Sequence, residues 1–525
     1  MGVYLNPGNE GFQIALNSEI YVDKTGLIRY TNSVINSGQR NICVSRPRRF
    51  GKSMAVDMLI AYYSRGCSSE EMFLPYEISS DNSFMRHLNC HNVIFMNIQR
   101  FLSRADSAHT LVDYLQQEVL KELKEEYGDC VSEEEMRLAI ALETIYSKTQ
   151  KGFIFIIDEW DCIFREKQHD TLAQTRYLDF MRDLFKDQIY VDLVYMTGIL
   201  PIKKYGTHSA LNIFDEFSMT EASLLAEYAG FTEKEVRMLC EQYHTDYSDM
   251  KQWYDGYCLG DGMHIYNPKS VVDALRRKKI SSYWTKTETY EALKVYIDMN
   301  FDGLKDSVIK MLGGGHCHVD TGTFQNDMTT FKSRDDVLTL LVHLGYLTYD
   351  ADTEEVMIPN EEVRAEFARA IKQSGWNDVI NAIKSSEQLM QAVLGQNEVA
   401  VAKGIDDVHM DTTSVLSYND ENSLSCVISL AFYSAKKDYI LIREFPTGKG
   451  FADMVFLPRR TSNNPTLIIE LKWDKSVVGA LEQIREKKYI RALENYSGEM
   501  LLVAINYDKS TKKHQCRIES YIYKK

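Results

Sequence analysis

Two groups of residues in this chain have the types and spacing to handle phosphate. The first is the run Arg46-Pro47-Arg48-Arg49-Phe50-Gly51-Lys52-Ser53-Met54. It lies between the apolar stretch Asn41 to Ser45 and a helical pattern from Met54 to Ile60. Strand, tight loop and helix in that order form a phosphate cradle, because backbone N–H groups and the helix dipole both point at the anion. Lys52 then reaches the β- and γ-phosphates of ATP, and the Ser53 hydroxyl ligates Mg²⁺. A second strand, Phe153 to Ile157, ends on Asp158-Glu159. Asp158 is placed to hold Mg²⁺ through water, and Glu159 to polarise the attacking water.

The second group lies near the C-terminus. Asp453 sits on one predicted strand, Phe451 to Leu457, and Glu470 and Lys472 sit on the next, Thr466 to Lys472. Residues i and i+2 of a strand share a face, so Glu470 and Lys472 share a surface. With Asp453 facing the same cleft, two carboxylates can bind a hard cation, Mg²⁺ or Mn²⁺. Such an ion lowers the pKa of bound water and neutralises the scissile phosphate, and Lys472 can stabilise the transition state. Glu421, at the start of the preceding helix, supplies a further carboxylate. Gln483 lies on the helix that follows, which begins near Val478.

Each piece has a plainer explanation when taken alone. Gly-Lys-Ser can start any helix, Asp-Glu can end any strand, and Glu-x-Lys is often a solvated salt bridge between strands. The conjunction weighs against those explanations, since each pair of motifs occurs in order and each follows a hydrophobic strand. Thr197 ends a further strand, Leu193 to Gly198, and is open to two readings: a sensor of the γ-phosphate, or a hydroxyl that caps the turn before Pro201.

The elements that must carry these residues are consistent with a soluble, multi-domain chain. At 525 residues it exceeds one hydrophobic core. Its 44% hydrophobic and 26% charged residues are ordinary for a globular protein. No apolar run reaches the ~18 residues of a membrane span, and the N-terminus lacks a signal pattern, so a cytoplasmic protein with no membrane partner is expected. Ten cysteines without a Cys-x-x-Cys pair argue against a zinc ribbon or disulfide framework. His316-Cys317-His318 reads as a loop, because neighbouring side chains point apart. The net charge of −15 opposes indiscriminate nucleic-acid binding. From residue 401 onward, however, 19 Lys/Arg stand against 16 Asp/Glu, which leaves room for a local basic groove.

Tyr21-Val22-Asp23-Lys24-Thr25, Arg46 to Ser53, and Ile157-Asp158-Glu159-Trp160-Asp161 together resemble a bacterial AAA-ATPase-like family that carries a C-terminal PD-(D/E)xK nuclease domain. Arg46, where phosphate loops usually have glycine, is normal for that family. Trp160 replaces its usual tyrosine. The resemblance places Asp23 and Lys24 near the nucleotide, although a helix N-cap before Gly26 explains them equally well. Trp253-Tyr254-Asp255-Gly256-Tyr257 and Tyr266-Asn267-Pro268 resemble the family's lid. In the C-terminal region, Glu421, Asp453, Glu470, Lys472 and Gln483 align with its nuclease motif.

The expected fold class is α/β. It comprises a P-loop (ASCE/AAA-like) ATPase core over 1–220, a helical lid over 221–300, a helical/winged-helix-like connector over 301–380, read as a spacer, and a restriction-endonuclease-like domain over 381–525. The expected function is an ATP-regulated, metal-dependent DNA endonuclease, with RNA as another substrate and a homo-oligomer as a state that would complete the site in trans. The alternative is a nucleotide-dependent molecular switch whose nuclease-like domain serves to bind DNA or a partner.

Overall fold

Five short apolar segments build the N-terminal sheet: β1 (Asn41–Ser45), β2 (Asn92–Asn97), β3 (Phe153–Asp158), β4 (Val191–Gly198) and β5 (Asp215–Phe217). All five run parallel, in the order β2-β3-β4-β1-β5. A parallel sheet has both faces covered, so its strands read as continuous apolar runs; every residue of β1 and of β3 is buried. The structure, a computed structural model, describes residues 2–202, 204–205, 208–209, 211–260, 262–284, 290–299, 301, 303–374, 376–412, 427–447, 450–459, 462, 464–486 and 499–522.

The chain divides into two compact units. One comprises 1–288 and 318–363; the other comprises 289–317 and 364–525. In the first unit the sheet is followed by a small antiparallel sheet: β6 (Phe231–Thr232), β7 (Tyr257–Leu259) and β8 (Met263–Tyr266), ordered β6-β8-β7. Two helices flank it, each with a reason to start where it does. Thr232 and Glu235 form a capping box for Glu233–Tyr243. Asn267 caps Pro268–Arg277, where proline fits the first turn because it has no N–H to leave unsatisfied.

The segment read as a spacer does more than connect. A helix, Arg334–His343, leads into a hairpin of β9 (Thr348–Asp350) and β10 (Glu355–Met357), the helix-plus-hairpin expected from its sequence. The hairpin joins the small antiparallel sheet, with Thr348 Oγ1 accepting the Cys258 N–H at 2.9 Å. The buried carboxylate of Glu362 secures the helix Pro268–Arg277: it accepts the Ser270 hydroxyl at 2.7 Å and the Trp284 N–H at 2.9 Å. A carboxylate this enclosed, 1% exposed, is stable only when its oxygens are satisfied.

The second unit holds β11 (Tyr439–Thr447), β12 (Gly450–Pro458), β13 (Thr466–Trp473), β14 (Glu499–Asp508) and β15 (Lys513–Ile522) in sequential order. Only β13 and β14 run parallel, and the helix Val477–Glu486 lies between them in sequence. Strand alternation separates two cores. Phe456, Leu467 and Ile469 face one, and Val455, Ile468 and Leu502 face the other with Leu481 of the helix. β14 and β15 extend the sheet beyond the strands expected from sequence, as β5 extends the N-terminal one. The run Met500 to Ile505, buried throughout, is the signal that marks β14.

Candidate functional site

The parallel register brings the strand ends of the first unit to one edge. Ser45 pairs with Gly198, Ile157 with Met196, and Asn97 with Asp158. The residues just past these positions therefore converge, as strand C-termini in open α/β sheets do. β4 lies between the phosphate-loop strand and the strand bearing Asp158.

The loop from Arg46 to Gly51 turns sharply onto the helix Lys52–Tyr63, with left-handed φ at Arg49 (69°) and Gly51 (89°). A Cβ on Gly51 would meet nothing within 4 Å, so the backbone conformation, rather than space, calls for glycine. Packing from later in the chain holds the loop. Phe50 meets Tyr257 of β7 edge-on at 5.2 Å between ring centroids, and Pro47 lies so near Gly345 that a Cβ there would come within 2.8 Å of it. Lys52 Nζ donates to the Arg46 and Pro47 carbonyls, both at 2.9 Å. Burial lowers the Lys52 pKa, and Glu159, Asp161 and Asp158 oppose that.

Arg46 turns away from this edge. Its side chain is fully buried, and Nη1 donates to the Ser45 carbonyl at 2.9 Å and to that of Phe217 in β5 at 2.7 Å. Burial brings its pKa down to about 10. Its Nε and Nη2 have no hydrogen-bond partner.

Asp158 is the hub of the edge. Its Oδ2 accepts the Ser53 hydroxyl at 2.9 Å and, at 3.4 Å, Asn97 Nδ2; its Oδ1 accepts the Thr197 hydroxyl at 2.6 Å. Thr197 thus contacts the carboxylate, in addition to ending its strand. Glu159 has a left-handed φ of 56° and pairs with Arg165. Burial raises the Glu159 pKa, and Arg165 and Lys52 counter it. Burial also opposes the charge on Arg165, but Asp161 and Glu159 outweigh it and hold that pKa above its ordinary value.

A cavity of 820 Å³ opens over this edge. Arg48 to Met54, Glu159 and Arg165 line it, as do residues 18–22, Lys24 and the start of the helix Pro268–Arg277 at Pro268 and Lys269. Lys24 donates to Glu235 at 2.7 Å and to the Glu227 carbonyl at 2.7 Å. Asp23 accepts the Thr25 N–H at 2.8 Å just before the helix Gly26–Val34, whose N-cap is Thr25 and has no side-chain capping bond.

In the second unit, the β12–β13 ladder ends at Met454 opposite Ile469. Asp453 and Glu470 each lie one residue beyond that last pair. The Asp453 carboxylate accepts the Leu471 N–H at 2.7 Å. Lys472 Nζ donates to Glu470 Oε1 at 2.9 Å, with Glu470 1% exposed. Alternation puts Asp453, Glu470 and Lys472 on the face that carries Val455 and Ile468. Glu421 lies outside the described residues, as does the Gln483 side chain, although Gln483 itself is on the helix Val477–Glu486.

Residues 10–207 match the family model described as a predicted AAA-ATPase, and residues 419–516 match the PD-(D/E)XK nuclease superfamily. The chain joins an AAA-ATPase-like domain to a PD-(D/E)XK domain. A curated relative, named only as an uncharacterised protein in the vnfD 5′ region of Azotobacter chroococcum mcd 1, is 24% identical over 277 residues. The match covers 51% of this chain, and the chain spans about half the length of that relative (51%). Among solved structures, the Aeropyrum pernix ORC2 protein, in ADPNP–ADP complexes, aligns at 11% identity with a TM-score of 0.29, covering 69% of this chain and 98% of its own. Cdc6p from Pyrobaculum aerophilum aligns at 9% identity and 0.24, covering 71% and 99%. Scores that low add nothing to the fold described above.

The AAA-ATPase-like domain has donors that fit a nucleotide with Mg²⁺: a left-handed glycine at the helix start, an ammonium, and a hydroxyl already bonded to a buried carboxylate. Arg48 to Met54 line its cavity, whereas Arg46 and Pro47 support the loop from behind. Asn97, Asp161 and Arg165 also belong to this edge and were not singled out from sequence. The acidic turn Asp158-Glu159-Trp160-Asp161 was the signal available for Asp161. In the PD-(D/E)XK domain two carboxylates and an ammonium fit a hard cation and a phosphate. Among the described residues no cluster of three or more His, Cys, Asp or Glu forms a metal site, and no helix is long and apolar enough to cross a membrane.

Proposed function

We propose that this chain is an ATP-regulated DNA endonuclease: the AAA-ATPase-like domain binds and hydrolyses ATP, and the PD-(D/E)XK domain cleaves phosphodiester bonds with Mg²⁺ or Mn²⁺. The observation that carries the reading is the Ser53–Asp158–Thr197 cluster beneath the phosphate loop, repeated in kind by Asp453, Glu470 and Lys472 in the second unit. In this reading Lys52 neutralises phosphate charge, Ser53 and Asp158 hold Mg²⁺, and Glu159 orients the attacking water. Residues 221–300 serve as the lid of the ATPase, 301–380 as a connector, and 381–525 as the nuclease domain.

At the second site Asp453 and Glu470 hold the cation, and Glu421 and Gln483 complete the set. Lys472 places its ammonium where negative charge grows on the phosphate. The cation, when bound, supplies a more acidic water and a counter-charge for the scissile group.

Two experiments test the halves separately. Glu159→Gln keeps ATP binding and loses turnover; undiminished hydrolysis removes Glu159 from its role. In a plasmid-nicking assay with Mg²⁺ or Mn²⁺, wild type cuts and Lys472→Ala does not. Equal cutting by both proteins removes this site from the reading, and none by either leaves a switch whose nuclease-like domain only binds.

A further inference from the structure

The turn after β3 carries a guanidinium that the chemistry above does not use. Arg165, on the short helix Cys162–Glu166, has a side chain only 7% exposed and lies between two carboxylates. Its Nε donates to Asp161 Oδ2 at 3.0 Å, and its Nη2 donates to Glu159 Oε2. Asp161 is held in turn from the other side. The same Oδ2 accepts the Ile199 N–H at 3.1 Å and the Leu200 N–H at 2.8 Å, and both residues follow β4 directly. A line of support therefore runs from the backbone beyond β4, through Asp161 and Arg165, to the end of the Glu159 side chain.

Glu159 needs such support. Its left-handed backbone fixes where the side chain starts, but the flexible torsions beyond remain to be set. A carboxylate that orients water must be held within about 0.5 Å of its working position by neighbours that are themselves fixed. Arg165 suits that task better than lysine would, because a planar fork can meet two carboxylates at once. Its bond to Glu159 engages Oε2, at a cavity that Glu159, Arg165 and Lys52 all line.

We infer that Arg165 is the positioning residue for Glu159, with Asp161 as its anchor. The inference rests on the reading of Glu159 as the residue that orients the attacking water. Arg165 acts through that carboxylate rather than by gripping the nucleotide. Its loss therefore reduces turnover and leaves ATP affinity in place.

The test uses the full chain and separates binding from chemistry. Steady-state ATP hydrolysis gives kcat, and titration with a methylanthraniloyl-labelled ATP gives affinity. Arg165→Gln is expected to lower kcat by on the order of 10²-fold, the scale of a misplaced general base, and to change affinity less than about threefold. Arg165→Lys is expected to recover part of the loss. Glu159→Gln combined with Arg165→Gln is expected to be no slower than Glu159→Gln alone, because residues that act as one unit are not additive. Wild-type kcat in Arg165→Gln overturns the inference, as does a double variant slower by the product of the two single losses. A loss confined to ATP affinity also overturns it, and assigns Arg165 to the phosphates instead. If Arg165→Gln does not melt cooperatively, Arg165→Lys decides the matter: reduced kcat at unchanged affinity supports the inference, and wild-type kcat overturns it. A wild type without ATP turnover removes the reading of Glu159 first, an outcome distinguishable from all of these.

Discussion

The Asp453 carboxylate accepts the N–H of Leu471 at 2.7 Å, and Leu471 is the residue between Glu470 and Lys472. One carboxylate thus has two duties at the end of a ladder: it takes over a backbone hydrogen bond from the neighbouring strand, and in the proposed site it helps to hold a cation. Substitution can separate the two. Asp453→Asn retains an acceptor for Leu471 and gives up the charge, so thermal stability stays near wild type while Mn²⁺ binding, read by calorimetry, is lost. Asp453→Ala leaves the Leu471 N–H unpaired and lowers stability by about 1–3 kcal/mol. If Asp453→Asn binds Mn²⁺ as wild type does, the carboxylate is structural.

Thr197 and Asp158 make the corresponding pair in the other unit. Thr197→Val keeps the shape and removes a donor to a buried carboxylate, at about 1.5–3 kcal/mol for a bond to a charged group. Lower ATP turnover and a lower melting temperature are expected together, with Thr197→Ser restoring both. Wild-type turnover in Thr197→Val would remove the hydroxyl from any working role.

Gly198 is required by its neighbour. An added Cβ would come within 2.6 Å of Trp160 Cδ1 and Nε1 and within 2.8 Å of Asp161 Oδ1. Gly198→Ala is therefore expected to destabilise by about 1–3 kcal/mol, the usual cost of overpacking. Trp160→Phe removes an indole N–H that has no partner in its fully buried site. Thermal melts of the double variant should show less loss than the two single losses combined.

His91 supplies a pH dependence. Its Nε2 lies 3.0 Å from His87 Nδ1, and burial, then His87, brings its pKa down to about 4. Between that value and the ordinary 6.5 the unfolded chain binds more protons than the folded one, so stability rises with pH across this window. The contribution is complete above 6.5 and is lost as pH falls toward 4, by about 2 kcal/mol between pH 7 and 5. The melting temperature of His91→Gln should fall less over that interval than that of wild type. Parallel curves for the two proteins would remove His91 as the cause.

These sites differ in how far their residues could be read from sequence. Ser53 and Asp158 were legible because each stands at a strand or helix end that an apolar run announces, and a parallel sheet brings such ends together. Glu470 and Lys472 were legible through strand alternation. Arg165 was not, since its partners come from a tight turn and from residues after β4 that no periodicity connects. The burial of Arg46 was equally hidden: an arginine in a loop reads as exposed, and the distant acceptor of its side chain comes from β5, a three-residue strand. Glu421 and Gln483 remain expectations from resemblance.

The contact between Arg46 and Phe217 joins residues 171 positions apart. The phosphate loop appears early in the chain, yet its first residue finds its second acceptor only after β5 has been made and docked. Contacts of such long range form slowly, since the intervening chain must first be ordered. Through the synthesis of residues 54–217 the loop therefore exists without the strand that completes it. ATP supplied to nascent chains should engage those that extend past residue 217 and pass over shorter ones.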